Sequence, residues 1–284
     1  MKLIKKQLVT AVLASTFSLV AHAVEINFDG AAVNNCHLDN NIKHYSCSAA
    51  ASSPQDDIYI ANTYTVSMDT VIPNGTSRDV SEEGKKTLSA ASAILGASGR
   101  LEGNLISATT VALGAGAEIK GNVNSGTTVA LGAGAKVEGR YVVITDLFSF
   151  SEDVPAIKAG STVALGADAI VFGNIQAVTT IAVGANANVY GNVKAGTTFA
   201  LGADGGVYGN VVAETTVALG ADSVVAKKAS MYVDGEDLAV NTVPNGDVST
   251  IADPDGTEVM GSVTAGTTVA LGADSSAEGD VESL

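Results

Sequence analysis

The chain has no tryptophan, and only 5% of its 284 residues are aromatic, so its core cannot be built from large rings. It has three histidines, of which His22 lies in an N-terminal leader and His37 and His44 lie beside the two cysteines. A nucleophile elbow, a phosphate-binding loop and an HExxH metal motif are absent from the sequence. We therefore predict that the chain is not an enzyme and that it requires no cofactor.

Basic residues are also few. The 15 Lys and Arg stand against 30 Asp and Glu, which gives a formal net charge of -15. Three of the lysines lie in the leader, so the remainder of the chain carries a net charge of about -18. Because an acidic surface repels nucleic acids and anionic lipids, we predict that nucleic acid is not a partner of this protein.

The N-terminus has the pattern of a secretory signal peptide. Lys2, Lys5 and Lys6 precede an apolar run over residues 8–20, which ends in the small-residue sequence AHA. We predict that residues 1–23 are removed and that the mature protein begins at Val24. After the leader no apolar run reaches the roughly 18 residues that cross a bilayer, so we predict no membrane span. The expected location is the periplasm, the cell surface or the medium.

The two cysteines lie close together in a polar N-terminal segment. Cys36 and Cys47 bracket a short loop, and in an exported chain such a pair predicts one disulfide bond. The alternative is a metal site that combines these cysteines with His37 and His44, although their spacing does not match a zinc finger. We predict that residues 24–90 form an N-terminal cap that contains the disulfide and irregular rungs of a repeat array.

From residue 91 onward the sequence repeats every 18 residues. Its clearest copies read GTTVALGAGAKVEG, GTTFALGADGGVYG and GTTVALGADSSAEG. The apolar residues of each copy come in pairs two apart, such as Val129 with Leu131 and Ala135 with Val137, and this is the spacing of β-strands. Three such pairs fit into one period, and Gly-Asn steps such as Gly191-Asn192 mark tight corners. The predicted fold is an all-β, three-sided parallel β-helix with 18-residue rungs over residues 91–284.

Stacked rungs place equivalent residues in ladders, because neighbouring strands lie about 4.8 Å apart. We predict a structural ladder of asparagines whose side-chain amides bond from rung to rung, formed by Asn104, Asn122, Asn174, Asn192 and Asn210. Two interruptions, near residues 141–156 and 226–260, have lengths close to one and two rungs. They can be either degenerate coils or projecting loops.

Two sets of surface residues are candidates for binding. If Val129 and Leu131 point inward, Thr128 and Ala130 point outward, and the repeat then predicts a flat threonine face formed by Thr110, Thr128, Thr162, Thr180, Thr198, Thr216 and Thr268. Each strand lacks a second outward threonine. Such a face could bind ice or a surface glycan, or serve only as a sheet surface. Carboxylates are the ligands that calcium prefers, and the weaker candidates for a calcium site are Asp204, Asp222, Asp234, Asp237, Asp253 and Asp255.

The repeat resembles a known family. The pattern VxGNVxAGTTVALGAxAxVxGNV, read across residues 189–211, is similar to the repeat of bactofilins, which are polymer-forming bacterial proteins. The resemblance covers residues 91–226 and 257–284. It implies a right-handed β-helix that stacks end to end into filaments without a nucleotide. The six-residue subdivision of the repeat is also compatible with a left-handed helix.

The most direct functional expectation is an exported structural or adhesive surface protein that associates with itself end to end as a homo-polymer. The last repeat continues to the C-terminal region without a change of composition, so Val269 and Leu271 should lie at an open end of the helix. The alternatives are an ice-binding or glycan-binding module and a polysaccharide-active enzyme. Such an enzyme would need acids clustered in a groove, and the candidate acid pairs are Asp56 with Asp57 and Glu82 with Glu83.

Overall fold

The computed structural model describes residues 25–48, 51–68, 87–139, 155–226 and 261–283. The predicted signal peptide, Glu82 with Glu83 and most of the two interruptions lie outside these residues. The described residues form three sheets of stacked strands without an α-helix, which confirms the three-sided parallel β-helix. No helix in this part of the chain is long and apolar enough to cross a membrane.

Sheet A has ten strands of four residues each. In spatial order they are β1 (Glu25–Phe28), β4 (Asp57–Ile60), β7 (Ser92–Leu95), β10 (Thr110–Leu113), β13 (Thr128–Leu131), β16 (Thr162–Leu165), β19 (Thr180–Val183), β22 (Thr198–Leu201), β25 (Thr216–Leu219) and β28 (Thr268–Leu271).

Sheet B has eleven strands. They are β2 (Cys36–Asp39), β3 (His44–Cys47), β5 (Thr65–Met68), β8 (Arg100–Glu102), β11 (Glu118–Lys120), β14 (Lys136–Glu138), β17 (Ile170–Phe172), β20 (Asn188–Tyr190), β23 (Gly206–Tyr208), β26 (Val224–Ala226) and β29 (Ser276–Ala277).

Sheet C has nine strands, which are β6 (Thr87–Ala90), β9 (Asn104–Ser107), β12 (Val123–Ser125), β15 (Ile157–Ala159), β18 (Ile175–Ala177), β21 (Val193–Ala195), β24 (Val211–Ala213), β27 (Val263–Ala265) and β30 (Val281–Ser283). All strand pairs in the three sheets are parallel, with the exception of β2 and β3.

The register of the sheets follows the 18-residue period. Leu201 pairs with Val183 on one side and with Leu219 on the other, as the repeat predicts. Val129, Ala135 and Val137 have no exposed surface, and Leu131 is 5% exposed. The alternation of apolar and small polar residues therefore sorts the side chains correctly between the inside and the outside of the helix.

The rungs that flank each interruption pair directly with one another. Leu131 pairs with Leu165 across the first interruption, and Leu219 pairs with Leu271 across the second. Both interruptions fall where the chain passes from sheet B to sheet C, after β14 and after β26. Residues 69–86 fall at the same place in the rung, after β5. The described strands on either side of each of these segments pair directly with one another.

The asparagine ladder exists, but its hydrogen bonds differ from the predicted ones. The side-chain oxygen Oδ1 of Asn174 accepts a hydrogen bond from the backbone N–H of Asn192 at 2.9 Å, and Asn192 accepts one in the same way from Asn210. These bonds therefore join a backbone N–H group to a side-chain oxygen rather than one side-chain amide to another. The N–H group belongs to the corner residue, and a buried backbone donor needs a partner. Asn104, Asn174, Asn192 and Asn210 each accept such a bond and so stabilise the corner of the next rung.

The N-terminal cap is closed by an antiparallel hairpin. Strands β2 and β3 form it, and the disulfide bond between Cys36 and Cys47 joins them, which confirms the predicted pairing. The ring of Tyr45, in strand β3 of this hairpin, is in edge-to-face contact with the ring of Phe28, and neither residue is exposed. The Tyr45 hydroxyl donates a hydrogen bond to the carbonyl oxygen of Ala31 at 2.7 Å. Burial raises the pKa of the Tyr45 phenol above its usual value.

Candidate functional site

The last rung that the structure describes consists of β28, β29 and β30, and we call it the end rung. Leu271 in β28 is 53% exposed, whereas its partner Leu219 in the preceding rung is only 4% exposed. Val281 in β30 is 45% exposed, whereas its partner Val263 is fully buried. Val269 is half-buried. The two residues predicted to lie at an open end, Val269 and Leu271, therefore belong to an apolar surface that the described chain leaves uncovered.

The backbone and the charges of the end rung complete this surface. Each of its three strands pairs on one side only with the described residues, so their outer N–H and C=O groups lie at a sheet edge. Four acidic residues of the end rung are exposed, namely Asp274, Glu278, Asp280 and Glu282. The segment 261–283 contains no lysine or arginine. Among the described residues, the end rung thus combines an apolar centre, three strand edges without a described partner and an acidic rim.

The predicted threonine face is present on sheet A. Its threonines pair in register over seven consecutive rungs, from β10 to β28: Thr110, Thr128, Thr162, Thr180, Thr198, Thr216 and Thr268. An alanine lies two residues after each of them and faces the same way, which forms a second ladder. None of these seven strands contains a charged residue. The face is consequently uncharged and repeats with the rung spacing.

A further row of hydroxyls borders this face, and sequence reasoning missed it. The residue before each of the seven strands is a threonine or serine, and its hydroxyl donates to a backbone carbonyl one rung away in most rungs. Thr197 Oγ1, for example, donates to the carbonyl oxygen of Thr179 at 2.8 Å. The sequence signal for this row is the repeated Thr-Thr pair. The first threonine of each pair lies just before a strand, so its hydroxyl can bond to the neighbouring rung along the helix axis. These hydroxyls are fixed in one orientation.

The aspartates considered for calcium have a backbone explanation. Asp204 and Asp222 both have a positive φ of 56°, and the equivalent residues of other rungs, Ser98, Gly116, Gly134, Asp168, Asn186 and Asp274, have φ between 55° and 64°. Aspartate, asparagine and glycine tolerate this left-handed conformation best, so the corner selects these residue types. In the part of the chain that the structure describes, no group of three or more potential ligands could hold a metal ion. Asp234, Asp237, Asp253 and Asp255 lie outside the described residues.

The cysteines and histidines do not form the alternative metal site. Cys36 and Cys47 are bonded to each other. The Nε2 atom of His44 lies 2.7 Å from the hydroxyl of Ser67 on the neighbouring strand β5, and His37 is exposed on β2. A disulfide has no thiolate to offer a metal ion. The four residues therefore belong to the structure of the cap.

An open cleft of about 560 Å³ lies at the N-terminal end, lined by residues 25–27, 31–35, 51–53 and 56. Asp56 lines this cleft, and its Oδ2 atom accepts a hydrogen bond from the backbone N–H of Ser53 at 2.7 Å. The carboxylate of the adjacent Asp57 instead accepts a bond from the hydroxyl of Ser92 at 2.6 Å. Both acids of this predicted pair therefore accept hydrogen bonds that hold local structure.

An aromatic ladder on the outer side of sheet B was also missed. The rings of Phe172 and Tyr190 are stacked with centroids 4.9 Å apart, and those of Tyr190 and Tyr208 are stacked at 4.8 Å. The amino group of Lys136 lies 5.0 Å from the centre of the Phe172 ring. The signal was an aromatic residue recurring every 18 positions. Because the faces of the rings cover one another, the ladder stabilises the stack of rungs.

Comparison with known proteins finds no similar protein. No protein-family model matches the chain, and neither curated proteins nor solved structures show a significant similarity to it.

Proposed function

We propose that this chain is an exported, non-catalytic structural or adhesive surface protein that associates with further copies of itself through the end rung. The observation that carries this proposal is the exposure of Leu271 and Val281 in a rung whose equivalents elsewhere are buried. Burial of such residues releases about 25 cal/mol per Å² of apolar surface, and pairing of the open edges adds backbone hydrogen bonds. The resemblance of the repeat to that of bactofilins favours the same kind of assembly.

Export is part of the proposal. The disulfide bond between Cys36 and Cys47 supports it, because such bonds persist in oxidising compartments and are rare in the cytosol. The signal-peptide pattern of residues 1–23 points in the same direction. The strongly acidic composition would keep an exported rod soluble until its end meets a partner.

Association through the end rung predicts that Leu271→Lys abolishes self-association while leaving the rod folded. The residue is 53% exposed, so the substitution costs the single chain little, but in an assembly it would place a charge in the apolar contact. Val178→Lys is the matched control, because Val178 is 63% exposed on the side of the rod, at the corner before β19. Sedimentation of chains that begin at Val24 measures the assembly state. Monomeric wild-type protein at every concentration, or equal loss in both variants, would contradict the proposal.

The threonine face supports a second candidate function, the binding of an ordered surface such as ice. Its rows of threonines repeat at the rung spacing of about 4.8 Å, so the face is regular along the helix axis. Hydroxyls and methyls alternate on it without any charge that would order water differently. A crystalline surface glycan would be recognised through the same regular hydroxyls.

Ice binding predicts that the wild-type chain shapes ice crystals and that Thr180→Tyr loses this effect. A large ring in the middle of the face would hold the neighbouring rungs away from a flat surface. Gln176→Tyr is the control, since Gln176 lies in the same turn of the helix but on sheet C. Microscopy of growing ice crystals and thermal hysteresis measure the effect. Ordinary ice growth in the presence of the wild-type chain would exclude this function.

A further inference from the structure

The two ends of the β-helix are built differently. At the N-terminal end the core residues Phe28 in β1 and Tyr45 and Cys47 in strand β3 of the disulfide-linked hairpin are fully buried. At the end rung the core positions Leu271 and Val281 are about half exposed. The outermost strand of sheet B at the N-terminal end, β2, also runs antiparallel to its neighbour, whereas every strand of the end rung is parallel to the strand before it.

The shapes of the two ends do not fit together either. The strands β4, β5 and β6 belong to one rung, and β6 is the N-terminal edge of sheet C. Sheet A continues beyond this rung by one strand, β1. Sheet B continues beyond it by two strands, β3 and β2. Since strands are spaced about 4.8 Å apart, the edges of sheets B and C are offset by roughly 10 Å. The edges of the end rung, in contrast, belong to one turn of the helix. A head-to-tail neighbour therefore cannot pair its three edges simultaneously with the N-terminal edges that the described residues form.

We propose that the end rung pairs with the end rung of a second copy about a twofold axis, so that assembly stops at a closed dimer. This inference rests on the proposed self-association and specifies its partner. A flat end fits a second flat end, and a twofold contact is self-complementary, which leaves no open end for a third copy. Strand β28 is the longest strand of the end rung, and it lies antiparallel to its own copy across the axis.

The register of this contact follows from the alternation of side chains. Directly opposed residues of antiparallel strands point to the same side of the sheet. The inward residues Val269 and Leu271 must therefore oppose inward residues. This condition is met when the twofold axis passes through Ala270 of β28. Ala270 then opposes Ala270 of the second copy, and Val269 of each copy opposes Leu271 of the other.

The acidic rim makes the contact sensitive to salt. Asp274, Glu278, Asp280 and Glu282 are all exposed in the end rung, and two facing ends bring eight carboxylates together without a basic residue from segment 261–283. Salt screens such repulsion between exposed charges. The dissociation constant of the dimer should fall at least about tenfold between about 0.02 M and about 0.5 M salt.

Cysteine cross-linking tests the twofold geometry. The variant Ala270→Cys should form a disulfide-linked dimer under air, because opposed residues of antiparallel strands have Cα atoms about 4.5–5.5 Å apart, within disulfide range. Ala218→Cys is the matched control, because Ala218 pairs with Ala270 in the preceding rung and faces the same way. It should remain uncross-linked. Non-reducing gels, sedimentation at several salt concentrations and electron microscopy provide the readouts.

The outcomes separate this inference from the proposed function. A salt-strengthened dimer that cross-links through position 270 and not through position 218 supports the closed pair. Filaments would overturn the closed dimer but leave a self-associating structural protein. A dimer that does not cross-link at position 270 would overturn the twofold register. A monomer at every concentration and salt would overturn both the inference and the self-association on which it rests.

Discussion

Replacing Leu201 with aspartate is expected to lower the free energy of unfolding by at least about 4 kcal/mol. Leu201 is 4% exposed and lies between Val183 and Leu219 of the adjacent rungs, so the new carboxylate would have apolar neighbours on both sides. Loss of the leucine leaves a cavity, and burial of an unpaired charge adds its own cost. Chemical denaturation followed by circular dichroism measures the change.

Two further variants separate the causes of this loss. Leu201→Asn has nearly the same shape as the aspartate variant without its charge, so it should retain part of the lost stability. Thr198→Ser lies on the outer side of the same strand and should change the free energy of unfolding by less than about 0.5 kcal/mol. If Leu201→Asp is as stable as the wild type, the inward assignment of this position is wrong.

The fold was predictable because its determinants are local and repeated. Pairs of apolar residues two apart, such as Val129 with Leu131, specify the inner face of a strand, and the 18-residue period specifies the partner of each strand. A shift of one residue in the pairing of a strand would turn all of its inward side chains outward, so the register is strongly determined. The cysteine pair was predictable for a different reason, because the chain has only two cysteines and they lie close together behind a signal-peptide pattern.

The details of the surface were less predictable, because a residue type does not reveal why it was selected. Asp204 and Asp222 suggest calcium ligands in the sequence, but the structure shows that they occupy a left-handed corner where few residue types fit. The amide of Asn192 was expected to bond another amide, whereas its oxygen accepts from the backbone of Asn210. Both corrections depend on backbone conformation at corners, for which spacing alone carries no information.

Whether the interruptions add rungs to the helix could also not be predicted from the sequence. Their lengths, near one and two rungs, left coils and projecting loops equally open in the sequence. Direct pairing of Leu131 with Leu165 and of Leu219 with Leu271 removes the first possibility for the flanking rungs. All three segments fall between a strand of sheet B and a strand of sheet C, and the strands of sheet A pair continuously from β10 to β28.

The glycine of the Leu-Gly step provides the second large effect, and Gly202→Ala is expected to lower the free energy of unfolding by about 3 kcal/mol. A Cβ atom at position 202 would lie 2.6 Å from the carbonyl carbon of Gly184 and 2.7 Å from the backbone nitrogen of Ala185. Both atoms are backbone of the preceding rung, so no side-chain rotation can relieve the clash. The rungs would have to separate, which would stretch the 2.7 Å hydrogen bond from the Gly202 N–H to the Val183 carbonyl oxygen.

A glycine two positions further along the repeat is the control for this substitution. Gly134 has a φ of 64°, and a Cβ atom there would meet no atom within 4 Å. Asn186 occupies the equivalent corner of another rung with a φ of 57°, so Gly134→Asn should change the free energy of unfolding by less than about 1 kcal/mol. Chemical denaturation of both variants side by side gives the comparison. Equal stability of the two would show that close approach of the rungs does not require glycine at the Leu-Gly step, because the two positions differ in the space around the added Cβ atom.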